Sequence, residues 1–360
     1  MNILYVSSLD GGKYTGPRYS VPKRINSQSC YDNVYWINLT NINTDFVGCD
    51  IECHNVALIS LRMDNLPKPF NKPDLVVFEE FYKIPNAIFA RSIEKKHIPY
   101  IIVPRSQMTK QYMRNKPLKK KVAAITLFNH FAKKAESVQF LTEKEKDDSV
   151  SYYSGGYHIV PNGITMPSKQ SEESYSDKVI GVFIGRYSIV QKGLDILFEA
   201  IKNNKALLKA HNVVFALYGP DERTGCRKNI QKLCKDAGIE DIVTVNGAVF
   251  DDRKDKVLRN ANFFIHTSKF EGLSMSILEA LSYGLPCIVT DGTNIRKEVE
   301  NAKAGWGCTT SSEGIGQALR DFVDSIENLH VYSKHAIDLA NQYSWDMIAK
   351  STHDIYKNTI

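Results

Sequence analysis

One stretch in the last third of the chain constrains the fold more than any other. It begins with an apolar run at residues 262–266 and continues through a loop that contains Glu271. A short helical pattern with Glu279 follows, and a second apolar run occupies residues 287–290. A strand, a loop, a helix and a second strand in this order predict part of a parallel α/β sheet, which binds ligands where its strands end.

The two carboxylates of this stretch allow two interpretations. Free N–H groups at a helix start favour phosphate, so Glu271 and Glu279 could belong to a binding site. Ser276 and Glu279 also fit a capping box, in which the glutamate only bonds a backbone N–H, and Glu271 could be an ordinary loop acid. The remaining motifs of the chain bear on this choice.

The same alternation of strands and helices continues through the chain and predicts two α/β domains. At 360 residues the chain is too long for one typical core, and the polar stretch 169–177 is its clearest change of composition. We therefore predict domains over 1–165 and 166–342, and an amphipathic helix over 343–360. The strand-like runs lie at 3–8, 34–39, 56–60, 75–79 and 100–103, and then at 179–184, 213–218 and 243–245. The expected apolar face of the last helix consists of Met347, Ile348, Ile355 and Tyr356.

Composition narrows the environment of the protein. Hydrophobic residues make up 43% and charged residues 24%, as in ordinary soluble proteins. No apolar run approaches the roughly 18 residues of a membrane-spanning helix, and residues 1–6 lack the pattern of a secretory signal. The seven cysteines are scattered and complete no zinc set. We therefore predict reduced thiols, a cytoplasmic location and no metal site.

The net excess of positive charge lies entirely in the first half of the chain. Residues 1–165 contain 22 Lys+Arg against 15 Asp+Glu, a net +7, whereas the remainder has 24 against 25, a net −1. This asymmetry predicts an anionic partner such as a membrane surface, although a lysine-rich helix face can also simply be solvated. Nucleic acid is not expected, because aromatic residues are not interleaved on a strand platform. The candidate membrane contacts are Lys116, Lys119, Lys120 and Lys121.

A glycine-punctuated loop with two cations follows the strand-like run 179–184. Arg186 can form a fork to phosphate oxygens, and Lys192 can act as a point charge. Gly185 and Gly193 flank the loop, but the P-loop pattern is absent. We favour a phosphate site here over a loop with two exposed cations.

Two features of the first half also lie at predicted strand ends. The pair Gly11-Gly12 follows the first strand and would let the backbone approach a ligand closely, although the dinucleotide pattern G-x-G-x-x-G is absent. Arg105 follows the run 100–103, where it could hold an anionic or hydroxyl-rich ligand or be an ordinary surface arginine.

In combination, these motifs resemble the retaining glycosyltransferases of family 4, and in particular those of bacterial surface-polysaccharide assembly. The resemblance implies the GT-B fold, in which two Rossmann-like, doubly wound parallel-sheet domains face each other across a cleft. It also implies that the last helix packs back on the first domain. The motifs are Gly185-Arg186, Lys192-Gly193, Gly219-Pro220, Gly247, the pair Glu271 and Glu279, residues 160–164 and Gly11-Gly12.

The resemblance implies a role for each matching residue. Arg186 and Lys192 would hold the diphosphate of a UDP- or GDP-sugar and stabilise the departing charge. Glu271 would meet the hydroxyls of the transferred sugar as the third catalytic residue, and Glu279 would accept hydrogen bonds from the ribose. The remaining donor contacts would come from Gly12, Gly185, Gly247, Val249 and the backbone of Gly272, Leu273, Ser274 and Met275.

The reaction implied by the resemblance is transfer of the sugar to a hydroxyl of a glycan or lipid-linked saccharide, in O-antigen or capsule-type biosynthesis. No Asp-x-Asp motif is present, and no metal is expected. Pro104-Arg105-Ser106 resembles a Pro-Arg-Gly segment of one bacterial subgroup, which places Arg105 on the acceptor side. His97 and His130 do not match the first-domain histidine of many relatives. A nucleotide-sugar epimerase and a non-catalytic nucleotide-sugar binding protein remain alternatives.

Overall fold

The computed structural model describes residues 1–9, 16–40, 46, 49–110, 112, 127–149, 153, 155–168, 177–220 and 226–360. Its contacts divide the chain into two compact units. Unit 1 comprises Met1–Gly163 and Trp345–Ile360, and unit 2 comprises Ile164–Ser344. Several residues singled out above lie outside the described part, namely Gly11, Gly12, Lys116, Lys119, Lys120 and Lys121.

Unit 1 contains a parallel sheet with the order β3-β2-β1-β4-β5-β6-β7. Its central strands are buried along their whole length except at Asn2, as expected for parallel strands covered on both faces. The strands are β1 (Asn2–Ser7), β2 (Asn33–Asn38), β3 (Cys53–Asn55), β4 (Leu75–Glu79), β5 (Tyr100–Val103), β6 (Ser137–Phe140) and β7 (Gly156–Ile159). Helices α1 (Gly16–Gln28), α2 (Ile84–Lys95) and α3 (Glu143–Asp148) connect them, and residues 127–134 are also helical.

Unit 2 contains a second parallel sheet, with the order β10-β9-β8-β11-β12-β13. Two apolar clusters cover its faces, one around Phe263 and Phe322 and one around Leu278 and Val289. The strands are β8 (Val179–Ile184), β9 (Val213–Tyr218), β10 (Val243–Asn246), β11 (Phe263–His266), β12 (Cys287–Thr290) and β13 (Gly305–Cys308).

The helices of unit 2 follow its strands in the usual alternation. They are α4 (Ile189–Lys192), α5 (Leu194–Asn203), α6 (Lys205–Ala210), α7 (Cys226–Asp236), α8 (Asp251–Arg259), α9 (Met275–Ser282), α10 (Arg296–Asn301), α11 (Ser312–Asp324) and α12 (Leu329–Gln342). The last helix, α13 (Trp345–Thr359), returns to unit 1. Among the described residues, none of the helices is both long and apolar enough to cross a membrane.

Each sheet has one point at which the chain reverses its direction of growth. In unit 2 the chain lays down β8, β9 and β10 toward one edge and then returns to place β11 on the other side of β8. Unit 1 does the same with β1 and β4. The loops that leave the carboxyl ends of the two strands at such a switch point run in opposite directions and leave a crevice, which is where open α/β sheets bind ligands.

Three details of the sequence prediction are wrong. Residues 56–60 do not form a strand, because Leu58–Ser60 is a 3₁₀ helix in which Ile59 is exposed. Strand β13 was not predicted, since Gly305 and Gly307 interrupt its apolar pattern. Met347 is exposed, whereas Ile348 and Tyr356 of the same helix are buried as expected.

Candidate functional site

The candidate site lies at the carboxyl edge of the unit 2 sheet, at its switch point. The loop after β8 carries Arg186 and leads into α4, which ends at Lys192. The loop after β11 carries Ser268 and Glu271. Because β8 and β11 are neighbours in the sheet, two loops far apart in sequence meet at one crevice.

Backbone contacts bring these two loops close together. Gly193, the C-cap of α4, has a φ of +62°. A Cβ atom there would lie 2.2 Å from the carbonyl oxygen of Thr267. The Thr267 hydroxyl donates a hydrogen bond to the Lys192 carbonyl oxygen at 3.0 Å. Glycine is required both for the left-handed backbone and for the close approach, and the contact fixes the end of α4 against β11.

The centre of the site is the carboxylate of Glu271. Its Oε1 atom forms an ion pair with the ammonium of Lys192, and both side chains are nine-tenths buried. The same oxygen accepts a hydrogen bond from the Ser268 hydroxyl and lies 2.8 Å from His266 Nε2. The imidazole of His266, which is fully buried, also lies 3.3 Å from the Lys192 Nζ atom.

The protonation of this cluster follows from burial and from the charges within it. Burial alone would raise the pKa of Glu271, but His266 and Lys192 outweigh it and hold that pKa well below its ordinary value. Burial also lowers the pKa of His266, and the adjacent Lys192 charge lowers it further against the opposing effect of Glu271. At neutral pH, Glu271 is therefore a carboxylate and His266 a neutral imidazole.

Arg186 is half-buried and lies in the loop between β8 and α4. Its Nη2 atom donates a hydrogen bond to Gln191 Oε1 at 3.0 Å. Gln191 is in turn tied to the helix start, because its backbone N–H donates to the Ser188 hydroxyl. A guanidinium is a planar fork of five donors, and this contact fixes the orientation of the Arg186 fork.

Glu279 is held by a different partner. It lies on α9 and forms an ion pair with Lys254 of α8, with roughly a quarter of each side chain exposed. The capping-box interpretation of this residue is wrong, because the cap of α9 is Ser274 and Ser276 lies within the helix. Glu279 therefore does not satisfy the start of its own helix.

The segment that links Glu271 to α9 is clamped in place. The side-chain amide of Asn294 donates to the carbonyl oxygens of Glu271 and Gly272, the latter at 2.9 Å. Leu273 and Ser274 are buried, and α9 begins at Met275. The first N–H groups of an α-helix have no partner within the helix, so this ordered start presents amide donors at the carboxyl edge.

The remaining motif residues of unit 2 lie after strands β9 and β10. A Cβ atom on Gly219, after β9, would lie 2.3 Å from the Gly185 carbonyl oxygen. The hydroxyl of Tyr187 donates to the Asn246 carbonyl oxygen at 2.6 Å and so ties the β8 loop to the end of β10. Gly247 follows β10 directly, and Val249 beyond it is buried.

Arg105 lies in unit 1, where its surroundings favour a structural role. Its guanidinium is almost completely buried and pairs with the fully buried Glu79 at 2.6 Å. It also donates to Ser20 and Asn162, at 2.9 and 3.3 Å. The backbone of Arg105 is left-handed, with a φ of +51°. Its assignment to the acceptor side remains a prediction.

Five residues of the site were not singled out from the sequence: Gln191, Lys254, His266, Ser268 and Asn294. His266 left one signal, because it is the polar last residue of an otherwise apolar strand. Lys254 and Asn294 left none, since their partners depend on how α8 and the loop after β12 are placed. Within the described part of the chain, no group of three or more His, Cys, Asp or Glu side chains is arranged to hold a metal ion.

The architecture defines a fold class. Anabaena HepE, solved in complex with UDP, matches with a TM-score of 0.75 and 14% identity over 99% of this chain and 100% of that one. The sucrose-phosphate synthase of Thermosynechococcus elongatus has the same TM-score and identity, over 99% of each chain. The fold is thus GT-B, with two Rossmann-like parallel-sheet domains.

The sequence of unit 2 is similar to those of known glycosyltransferases. Residues 166–338 match the family model described as glycosyl transferases group 1. An uncharacterized glycosyltransferase of Methanocaldococcus jannaschii is 26% identical over 50% of this chain and 45% of its own length. A GDP-mannose:cellobiosyl-diphosphopolyprenol alpha-mannosyltransferase of Komagataeibacter xylinus is 22% identical over 56% and 51%. The chain thus spans about half the length of the curated relatives it matches.

Proposed function

We propose that this protein is a retaining glycosyltransferase that uses a UDP- or GDP-sugar and transfers the sugar to a hydroxyl of a glycan or lipid-linked saccharide. The observation that carries the proposal is the opposition of Lys192 and Glu271 at the unit 2 switch point. In the proposal, Lys192 is the cation for the diphosphate and its neighbour Glu271 is the carboxylate for the sugar hydroxyls. Arg186, oriented by Gln191 in the same loop, supplies a second cation.

The chemistry requires stabilisation of the leaving group. As the bond between the sugar and the diphosphate breaks, positive charge develops on the sugar and negative charge on the diphosphate. Arg186, Lys192 and the amide donors at the start of α9 would stabilise that negative charge without a metal ion. The acceptor oxygen attacks from the face that the diphosphate leaves, and its proton passes to a departing phosphate oxygen. The anomeric configuration is then retained without a dedicated protein base.

Glu271 would contribute on the other side of the breaking bond. Its carboxylate is ionised at neutral pH and accepts hydrogen bonds from sugar hydroxyls. Lys192 has three N–H donors, so it can reach a phosphate oxygen and still remain close to Glu271. Glu279, more exposed than Glu271 and paired with Lys254, would exchange that partner for the ribose hydroxyls.

The comparisons support a nucleotide-sugar donor and a lipid-linked acceptor. The family match covers the unit that carries the candidate donor site. Anabaena HepE was solved with UDP, and the Komagataeibacter relative is named for a donor GDP-mannose and a diphosphopolyprenol-linked acceptor. We extend the proposal to O-antigen or capsule-type polysaccharide assembly at the cytoplasmic face of the membrane, to which the basic first half would be attracted.

A panel of nucleotide sugars tests the proposal. The protein is incubated with UDP- and GDP-linked hexoses and N-acetylhexosamines, and slow hydrolysis is followed by NMR. We expect one donor to be consumed with release of free nucleotide diphosphate and of a sugar whose first-formed anomer matches the donor. Chelation of divalent metals should leave the rate unchanged.

Other outcomes would identify the alternatives. An inverted first-formed anomer would contradict the retaining mechanism. Release of an epimerised sugar that no acceptor can capture would indicate a nucleotide-sugar epimerase. If one donor bound tightly and raised the Tm while every donor stayed intact, the protein would be a binding module.

A further inference from the structure

His266 occupies an unusual position for a polar side chain. It is the last residue of β11 and is fully buried. Its ring stacks with Phe183, at 5.3 Å between centroids, and with Phe264, at 5.9 Å. A buried polar group costs free energy unless it forms hydrogen bonds, so an apolar residue would suit these packing contacts better.

The polar contacts of the His266 ring include those with Glu271 and Lys192. We propose, on the basis of the proposed function, that His266 is a positioning residue that donates a hydrogen bond to Glu271 and orients its carboxylate toward the transferred sugar. The contact that carries the proposal joins His266 Nε2 and Glu271 Oε1 at 2.8 Å.

The contact also determines which ring nitrogen carries the proton. A neutral imidazole has one N–H donor and one lone-pair acceptor. The distance of 2.8 Å to a carboxylate oxygen favours the proton on Nε2, because two lone pairs would repel each other there; the opposing contact is the Lys192 ammonium, a donor 3.3 Å from the same nitrogen. Nδ1 then carries the lone pair, and within the described part of the chain it has no hydrogen-bond partner. The titratable groups against the ring are Glu271 and Lys192.

The need for this donor arises when the nucleotide sugar binds. In the structure, Glu271 Oε1 receives the ammonium of Lys192, the hydroxyl of Ser268 and His266 Nε2–H. A diphosphate competes for Lys192 and carries more charge than one carboxylate. Once Lys192 also donates to a phosphate oxygen, its pairing with Glu271 weakens, and the donors of Ser268 and His266 matter more. They keep the carboxylate ionised and directed while Lys192 is shared with the diphosphate.

Two substitutions at His266 separate hydrogen bonding from packing. His266→Gln retains an N–H donor near the position of Nε2, whereas His266→Leu keeps the bulk and removes the donor. Ile288→Val, on the neighbouring strand β12 and also fully buried, is the matched control for a small loss of core packing. Each variant is assayed with the donor that the wild type consumes, and binding of UDP and GDP is measured by calorimetry.

We expect His266→Leu to lower kcat about 10- to 100-fold, as for loss of one hydrogen bond to a charged group. Affinity for UDP or GDP should stay within about threefold, because the proposal assigns Glu271 to the transferred sugar and not to the nucleotide. His266→Gln should retain most of the activity. The acid limb of the kcat–pH profile should move to higher pH in His266→Leu only, since Glu271 loses a donor that favours its ionised form.

Selective ¹⁵N-histidine labelling gives a readout that does not depend on turnover. Long-range ¹H–¹⁵N spectra of the wild type, assigned with His266→Gln, should show a neutral ring protonated at Nε2 at pH 7. A ring protonated at Nδ1 would overturn the proposal even in an active enzyme. Equal losses of kcat in the Leu and Gln variants, or a loss explained wholly by nucleotide affinity, would show that His266 contributes packing and does not position Glu271.

The failure of the proposed function would look different. If the wild type left every nucleotide sugar intact, both the transferase reaction and the positioning role would be overturned, whatever the tautomer. If the wild type turned over a donor and His266→Leu matched the rate of Ile288→Val, only the role of His266 would fall.

Discussion

At the scale of single residues, the two glutamates of the site differ in burial and therefore in what their loss would do. Glu271 is nine-tenths buried and shares Lys192 and His266, whereas Glu279 is more exposed and pairs only with Lys254 among the contacts described. Removing one member of a buried pair leaves an uncompensated charge, which is expensive, while an exposed pair contributes little.

The two glutamates also have different proposed roles, so neutralising each of them should give different kinetic results. We expect Glu271→Gln to lower kcat about 100-fold or more, in the range of a lost transition-state contact, with little change in donor KM. Glu279→Gln should mainly raise the donor KM, by about tenfold for one lost hydrogen bond to a charged group. Steady-state kinetics and calorimetry with UDP and GDP measure both effects.

The exposed Glu240 supplies the control for these substitutions. Glu240→Gln should leave both parameters unchanged. Equal reductions of kcat in the two site variants, in proportion to a loss of folded protein, would instead assign both glutamates a structural role.

The buried imidazole also predicts a pH dependence of stability. The pKa of His266 is lowered in the folded protein, whereas in the unfolded chain it is about 6.5. Between these two values the unfolded chain binds more protons, so stability falls as the pH falls through about 6.5. His266→Gln lacks this group. Urea unfolding should show its stability relative to wild type rising by up to about 1.4 kcal/mol between pH 7.5 and pH 5.5.

The ionisation of Glu271 does not obscure this comparison. Its pKa is lowered from an ordinary value of 4.5, so its stabilising contribution is lost only below that value and outside the range measured. A constant difference between wild type and His266→Gln at the two pH values would show that the ring is not held neutral.

At the scale of elements, the junction between α4 and β11 determines where Lys192 lies. Gly193 and Gly238 both have left-handed backbones, with φ of +62° and +64°. They differ in their surroundings, because a Cβ on Gly193 would meet Thr267 at 2.2 Å whereas one on Gly238 would meet nothing within 4 Å. The pair therefore separates backbone strain from the close approach of two elements.

Alanine at each of these glycines should have distinct effects. Gly238→Ala is expected to cost about 1 to 2 kcal/mol of unfolding free energy, the penalty for a left-handed alanine. Gly193→Ala should cost clearly more, on the order of 3 kcal/mol once the displaced contact is added, and should weaken UDP or GDP binding because Lys192 moves. Urea unfolding and calorimetry measure the two effects. Equal costs with unchanged nucleotide affinity would show that the junction adjusts freely.

The sequence predicted the elements of the sheets better than the contacts between them. Strands β8, β9 and β12 have the bounds that their apolar runs indicated, because a central parallel strand is buried on both faces and leaves a continuous apolar pattern. Strand β13 was hidden because glycine fills alternate positions along it. Edge strands bury fewer side chains, so their apolar pattern is weaker and predicts their position less well.

The sequence singled out some of the residues that the structure brings together, but not how they pair. Motif spacing selected Lys192, Glu271 and Glu279, but the ion pair between Lys192 and Glu271 joins residues 79 positions apart. It exists because β8 and β11 are adjacent in the sheet, which is a property of strand order. The partner of Glu279, Lys254, likewise depends on the placement of α8 beside α9 and left no pattern in the sequence.

At the scale of the whole molecule, unit 1 is assembled from two separate parts of the chain. Residues Met1–Gly163 supply its sheet, and Trp345–Ile360 returns after the whole of unit 2. Tyr356 of α13 is fully buried in the cluster that contains Tyr5 and Trp36. Its hydroxyl is hydrogen-bonded to the side-chain amide of Gln139 at 2.7 Å. The last helix is therefore part of the core of unit 1.

This arrangement predicts that damage to α13 destabilises unit 1 selectively. Tyr356→Ala removes a large, fully buried side chain and should cost about 3 to 5 kcal/mol, as for other aromatic residues in cores. In amide hydrogen exchange, β1, β4 and β5 should lose protection, while β8, β11 and β12 keep theirs and UDP or GDP affinity stays unchanged.

Met347→Ala on the exposed side of the same helix should change the unfolding free energy by less than about 0.5 kcal/mol. Equal loss of protection in both sheets would mean that the two units unfold as one, and loss of nucleotide affinity would tie α13 to the donor site.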